Sequence, residues 1–179
     1  MPGQKENYFV YADPAKCLGC KSCELACGLE HAKADLFAAV LAGLPVQPRN
    51  RVVEAAGIRT PIQCRQCEEA PCALVCPSGA ISREEGMIWL DKRLCFGCKS
   101  CVMVCPFGAI QVRDEGKAMK CDLCVDSPAE ISASQCACIR ACPTKAISLV
   151  DSEELRQKLM AARVGEIAQA RAVDKPPAV

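Results

Sequence analysis

The sequence predicts an α+β fold assembled from very small repeated units, and three observations carry that prediction. Seventeen cysteines occur in 179 residues, and sixteen of them fall into four groups of four. One short pattern recurs after three of the groups, as Pro77-Ser78-Gly79-Ala80-Ile81, Pro106-Phe107-Gly108-Ala109-Ile110 and Pro143-Thr144-Lys145-Ala146-Ile147. Runs rich in aromatic and β-branched residues flank the groups, each only three or four residues long. Each repeat therefore reads as helix, turn and strand, with the strands paired into two-stranded antiparallel ribbons.

In chain order, Tyr8-Phe9-Val10-Tyr11 is the first strand and leads into the first cysteine group. The Ala-rich stretch from Leu29 to Ala42 favours a single insertion helix, stopped by Gly43 and Pro45. From Pro48 to Pro61 the chain reads as extended or looped, with Arg49-Asn50-Arg51 as a solvated turn. Met87-Ile88-Trp89-Leu90 and Ile110-Gln111-Val112 are strands beside the second and third groups, and Ile147-Ser148-Leu149-Val150 follows the fourth. Asp151 and Glu154 stand at capping-box spacing ahead of a helix reaching Val173. On that helix Leu155, Leu159, Ala162 and Val173 share one face, while Met160, Val164 and Ile167 lie nearly opposite. Two stripes ask for two surfaces, the chain's own core and either a partner or a second copy; a helix that merely straps the core is the alternative. The tail from Asp174 to Val179 reads as disordered.

The groups are Cys17-x2-Cys20-x2-Cys23-x3-Cys27, Cys64-x2-Cys67-x4-Cys72-x3-Cys76, Cys95-x2-Cys98-x2-Cys101-x3-Cys105 and Cys121-x2-Cys124-x13-Cys138-x3-Cys142. A crowded triplet wraps three corners of a cubane, and the fourth cysteine, one helical turn on, reaches the neighbouring cluster instead, as in two-cluster ferredoxins. Four groups thus predict four [4Fe-4S] clusters in two interlocked pairs. Structural zinc would use paired CxxC or Cys/His units, and His31 is the chain's one histidine. A disulfide framework implies export, yet Met1 to Asn7 holds no apolar signal segment, so a cytoplasmic location is expected. A thioredoxin-like CxxC would occur once. Cys136 is the cysteine left over; Cys138 keeps the x3-Cys-Pro spacing of its siblings, which makes Cys136 a bland thiol.

Aromatic residues make up only 4% of the chain, so the ordinary apolar core is thin and clusters are expected to supply much of it. The second and third groups, residues 64–113, form an inner ferredoxin-like unit. The first and fourth, residues 1–63 and 114–150, close around it as a discontinuous outer unit, followed by the helix at 151–173 and the tail at 174–179. A net charge of +1 gives no global attraction to nucleic acid or membrane, and no stretch is long enough to span a bilayer. Lys16, Lys21, Lys92, Lys99 and Lys120 adjoin the cluster loops, where cations raise potentials or help docking, with ordinary surface lysines as the equal alternative. His31 is a surface group or an outer neighbour of a cluster, Trp89 and Phe107 are packing residues, and Met103 and Met119 fill gaps.

The runs Cys17-Leu18-Gly19-Cys20-Lys21-Ser22-Cys23-Glu24-Leu25-Ala26-Cys27, Cys64-Arg65-Gln66-Cys67-Glu68-Glu69-Ala70-Pro71-Cys72 and Lys120-Cys121-Asp122-Leu123-Cys124 resemble the four-cluster, ferredoxin-like electron-transfer subunits of complex oxidoreductases. The resemblance spans residues 8 to 150 and implies the ligand exchange of that family. Cys17, Cys20, Cys23 and Cys142 would hold one cluster, and Cys27, Cys121, Cys124 and Cys138 a second. Cys64, Cys67, Cys72 and Cys105 would hold a third, and Cys76, Cys95, Cys98 and Cys101 a fourth. Cys27 departs from the pattern because Gly28 follows it where the other groups have proline.

Fully thiolate-ligated clusters leave no open coordination site, and no Gly-rich dinucleotide loop or nucleophile constellation accompanies them, so the chain reads as non-catalytic. The resemblance implies single-electron relay between a large catalytic subunit and a second redox partner, of flavoprotein or ferredoxin type. A molybdenum or tungsten pterin enzyme such as an aldehyde oxidoreductase or formate dehydrogenase is the first expectation for that subunit. A nickel carbon monoxide dehydrogenase or hydrogenase is the alternative, and a free soluble polyferredoxin a further one.

Overall fold

A computed structural model describes residues 7–113, 115–125 and 131–173 of the chain. The tail beyond Val173 and the segment before Asn7 lie outside the described residues, and with them the expectations of a disordered tail and a missing signal segment. Among the described residues eight strands form four separate two-stranded antiparallel ribbons. β1 (Tyr8–Ala12) pairs with β8 (Ile147–Asp151), setting Val10 opposite Leu149, so the two ends of the cysteine-bearing region meet in one ribbon. β2 (Arg51–Ala55) pairs with β3 (Ile58–Ile62), β4 (Ile81–Glu84) with β5 (Met87–Leu90), and β6 (Gln111–Val112) with β7 (Ala118–Met119).

Six helices complete the described chain: α1 (Ser22–Ala32), α2 (Leu36–Leu41), α3 (Pro71–Leu74), α4 (Ser100–Val104), α5 (Ala137–Arg140) and α6 (Ser152–Val173). α1 packs on α5 and α3 packs on α4, which joins the first group to the fourth and the second to the third. The α+β reading with short antiparallel ribbons holds. The single insertion helix does not, because α1 starts inside the first cysteine group and ends at Lys33, whose φ of 51° is left-handed. Asp35 then caps α2 by accepting a hydrogen bond from Ala38 N at 2.7 Å. An aspartate that gains a capping bond opposes helix continuation more strongly than the surrounding alanines favour it. The stretch from Pro48 to Pro61 contains a hairpin, turned at Ala56 and Gly57, both at positive φ. That two-residue turn suits the twist of the strands it joins.

Two buried glutamines tie distant parts of the chain together. Gln66, fully buried, donates to Cys121 O at 3.1 Å and accepts from Ile88 N at 2.9 Å. Gln63 donates to Val10 O at 2.7 Å, and the same carbonyl accepts from Arg65 at 3.2 Å. The Arg65 guanidinium also lies 5.5 Å from the Phe9 ring centroid and 6.0 Å from that of Phe107. Phe107 is thus half in solvent and held by a cation, and Trp89 packs against the larger buried cluster as expected. Met119 is buried, but Met103 is 84% exposed on α4 and fills no gap.

The C-terminal helix also departs from expectation. Asp151 Oδ1 accepts from Glu154 N at 2.9 Å, the cap the sequence pattern requires, while the Glu154 carboxylate turns to Lys158 and leaves the other half of the box unmade. Of the stripe expected on the core, only Leu155 is partly covered; Leu159 and Ala162 are exposed, and the Val173 side chain lies outside the described residues. Met160, Val164 and Ile167 are exposed as well.

Candidate metal centre

Every cysteine group sits on a tight loop leading into a helix. Gly19 (φ 70°) and Lys21 (φ 61°) flank Cys20, and Gly97 (φ 77°) and Lys99 (φ 66°) flank Cys98. Gln66 (φ 50°) precedes Cys67, and Leu123 (φ 61°) precedes Cys124. Left-handed residues set among ordinary ones turn successive backbone N–H groups toward one concave side, which is an anion-binding nest. At Gly97 there is also no room for a side chain, because a Cβ would stand 1.9 Å from Gly116 O.

The last two cysteines of a group are four residues apart along a helix or its exit, a rise of about 6 Å. Cys23 and Cys27 lie on α1, Cys72 and Cys76 on and just past α3, Cys101 and Cys105 on and at the end of α4, and Cys138 and Cys142 on and just past α5. Four residues apart on a helix, the two thiols of a pair share one face about a turn apart.

The structure gathers the thiols across the groups. Cys76, Cys95, Cys98 and Cys101 line a single cavity whose other walls include Ile81, Leu90 and Val112. Cys67 and Cys72 both feel the charges of Cys64 and Cys105. Cys138 feels Cys121, Cys27 and Cys124. Cys20 feels Cys142, and Cys23 feels Cys17. Cys121 also feels the charge of Cys64, and both lie in one buried cluster, which sets the second group against the fourth. Cys136 enters the same neighbourhood, but it is 1% exposed and its Sγ lies 3.3 Å from Leu123 O, in position to donate.

Burial pushes the thiols of Cys23, Cys27 and Cys72 up to about 11 and those of Cys121 and Cys136 to about 12. Cys20 and Cys98 are lowered instead, by the hydroxyls of Ser22 and Ser100, and they are the two exposed cysteines in the chain. Among the described residues, backbone N–H groups reach sulfur from Arg49 to Cys27 at 3.3 Å, from Ala109 to Cys105 at 3.4 Å, from Ala118 to Cys95 at 3.4 Å and from Ala146 to Cys142 at 3.2 Å. Such bonds stabilise negative charge on the sulfur and raise a cluster's potential.

Sequence reasoning misjudged Arg49 and Asn50. Neither sits in a solvated turn: Asn50 is buried and donates to Cys23 O at 3.3 Å, and Arg49 forms an ion pair with Asp122 beside Cys27, Cys121 and Cys124. His31 Nε2 completes this patch, 3.5 Å from Asp122 Oδ1 and 4.0 Å from Cys124 Sγ. Burial and the Arg49 charge hold its pKa down to about 4, so the ring is neutral at pH 7. Lys16 pairs with Asp13, and Lys21, Lys92 and Lys99 are exposed, whereas Lys120 is 3% exposed.

Thiolates as the shared donor, nests of N–H groups and apolar walls suit iron-sulfur ligation and little else. The fold and this donor set define an iron-sulfur electron-transfer protein with ferredoxin-like units. The family profile of the 4Fe-4S dicluster domain matches residues 56–152. An iron-sulfur protein of Rhodospirillum rubrum is 48% identical over 181 residues, covering 94% of this chain and 95% of its own. The electron transport protein HydN of Escherichia coli (strain K12) is 41% identical over 170 residues, with 84% and 92% covered. Formate hydrogenlyase subunit 2 of the same strain is 34% identical over 184 residues, with 83% and 84% covered. The chain belongs to the 4Fe-4S dicluster family of ferredoxin-like electron-transfer proteins. Among the described residues no helix is long and apolar enough to cross a membrane.

Proposed function

We propose that the chain is a non-catalytic relay subunit that holds four [4Fe-4S] clusters in two interlocked pairs. The ligand sets are Cys17, Cys20, Cys23 and Cys142; Cys27, Cys121, Cys124 and Cys138; Cys64, Cys67, Cys72 and Cys105; and Cys76, Cys95, Cys98 and Cys101. The observation that carries this reading is the grouping of thiols from different parts of the chain, above all the cavity that gathers the fourth set. Bound there, each cluster supplies reversible one-electron storage.

The division into an outer unit, residues 1–63 and 114–150, and an inner unit, residues 64–113, rests on the same contacts. The β1–β8 ribbon and the α1–α5 packing belong to the outer unit, and the α3–α4 packing to the inner one. Helices spanning one turn between thiols of two sets link the sets within each unit, and the approach of Cys64 to Cys121 links the units. The exposed thiols Cys20 and Cys98 belong to the first and fourth sets, so partners exchange electrons at those two ends.

For the catalytic partner, the name of one relative, formate hydrogenlyase subunit 2, favours a formate-oxidising pterin enzyme over the aldehyde and carbon monoxide enzymes. The exposed apolar residues of α6 are offered to a partner or to a second copy. Anaerobic purification with counts of Fe, Mo, W and Ni and of co-purifying subunits tests all of this. About sixteen irons per chain, as four cubanes require, with molybdenum or tungsten in a large subunit, is the expected result. Eight irons would overturn the four-cluster reading, and nickel in the large subunit would overturn the partner.

A further inference from the structure

Lys120 is the one charged residue among the described residues that is buried, at 3% exposure. Its Nζ donates to Cys121 O at 3.0 Å. No carboxylate pairs with it among the described residues, whereas the nearby Arg49 is matched by Asp122 and Lys16 by Asp13. Its charge reaches Cys72 and Cys121, two thiols that the proposed ligand sets assign to different clusters. An unpaired buried ammonium is costly unless negative charge close by offsets it. The thiolate-ligated clusters proposed for the Cys72 and Cys121 sets would supply that charge, and each would become more negative on reduction. A fixed cation close to both would therefore favour the reduced form of both. Lys21, Lys92 and Lys99 stand in solvent and are screened, so their effect on any cluster is weaker.

We propose that the buried Lys120 ammonium raises the reduction potentials of the two clusters beside it, those of Cys64 and of Cys121. The inference rests on the proposed ligand sets.

The test is a potentiometric titration, followed by EPR, of the anaerobically purified protein, its Lys120→Met variant and its Lys120→Arg variant, each checked for iron content. In Lys120→Met, two of the four couples should fall by on the order of tenfold in reduction constant, about 59 mV each for a one-electron couple, with the other two within threefold of the parent. Lys120→Arg should keep all four near parental values. Unchanged couples in a fully loaded Lys120→Met protein would overturn the inference, as would an equal fall in all four. Lys120→Gln provides a second neutral variant, and loss of iron from both neutral proteins would make Lys120 a folding element and overturn it too. Fewer than four cubanes in the parent protein would instead overturn the ligand sets, which keeps the two failures apart.

Discussion

Replacing Gln66 by leucine should loosen the join between the two halves of the molecule, and the structure sets the size of the effect. Gln66 is completely buried and uses both ends of its amide, giving a hydrogen to Cys121 O and taking one from Ile88 N. Leucine fills a similar volume and tolerates the φ of 50° no worse, so the change isolates the two hydrogen bonds. Cys121 O keeps Lys120 Nζ when Gln66 is gone, so Ile88 N is the group left orphaned, at roughly 1–3 kcal/mol, or about 2 kcal/mol. Cluster loss is irreversible, so the proper measure is the rate at which visible iron-sulfur absorbance bleaches in guanidinium under anaerobic conditions. A cost of about 2 kcal/mol expressed in that rate is on the order of thirtyfold. Gln63→Leu is the matched comparison. Its Oε1 has no partner among the described residues, and Val10 O keeps Arg65 when Gln63 is gone, so bleaching should accelerate less than tenfold. Equal rates for the two variants, or a change under threefold for Gln66→Leu, would refute the reasoning.

Three further outcomes follow from the site. Cys138→Ala should lose the iron of one cluster while Cys136→Ala keeps all of it, measured as iron per chain; the reverse result would make Cys136 the ligand. Gly97→Ala forces a Cβ onto Gly116 O and strains a left-handed φ, so it should lose the cluster held by Cys98 while the cysteines of the outer unit stay loaded, read from iron content and EPR. Removal of residues 152–179 should lower the assembled mass seen by light scattering by more than the deleted segment itself, because α6 leaves Leu159, Met160, Val164 and Ile167 uncovered. An unchanged state of assembly would leave α6 with no role in association.

The cysteine groups were legible because ligation fixes spacing locally, and β1, β5 and β8 because Tyr8, Phe9, Trp89 and Ile147 lie in strongly β-favouring runs. What stayed hidden depends on distant or competing contacts. Arg49 looks like surface charge until folding sets it against Asp122, 73 residues away. The β2–β3 hairpin is masked by Pro61, which stands opposite Val52 and argues against a strand when read alone. The break between α1 and α2 turned on one capping aspartate in an alanine-rich stretch. On α6, periodicity identified two apolar stripes but had no means of saying that the helix leaves the body after its first turn.

Iron and protons should act on this fold in opposite senses as pH changes. Sixteen of the 25 buried hydrophobic residues among those described are cysteine or alanine, so few large aliphatic side chains support the chain without its clusters. Helices of four or five residues such as α3, α4 and α5 do not persist alone in water either, which leaves ligation to hold them. Folding of the metal-free chain places thiols with raised pKa values in its interior, about 11 for Cys23, Cys27 and Cys72 and about 12 for Cys121, against roughly 8.5 for an exposed thiol. A raised folded value means that the buried, protonated thiol contributes its full stability below pH 8.5 and loses it as pH climbs through 11. Residual structure in the metal-free chain, followed by circular dichroism, should therefore fall between pH 8.5 and 11. Ligation demands that the same thiols give up their protons, so iron loading should improve as pH rises from 7 toward 9. Reconstitution yields that drop over that interval, or metal-free structure that is insensitive to pH up to 11, would show that these thiols do not couple folding to cluster assembly.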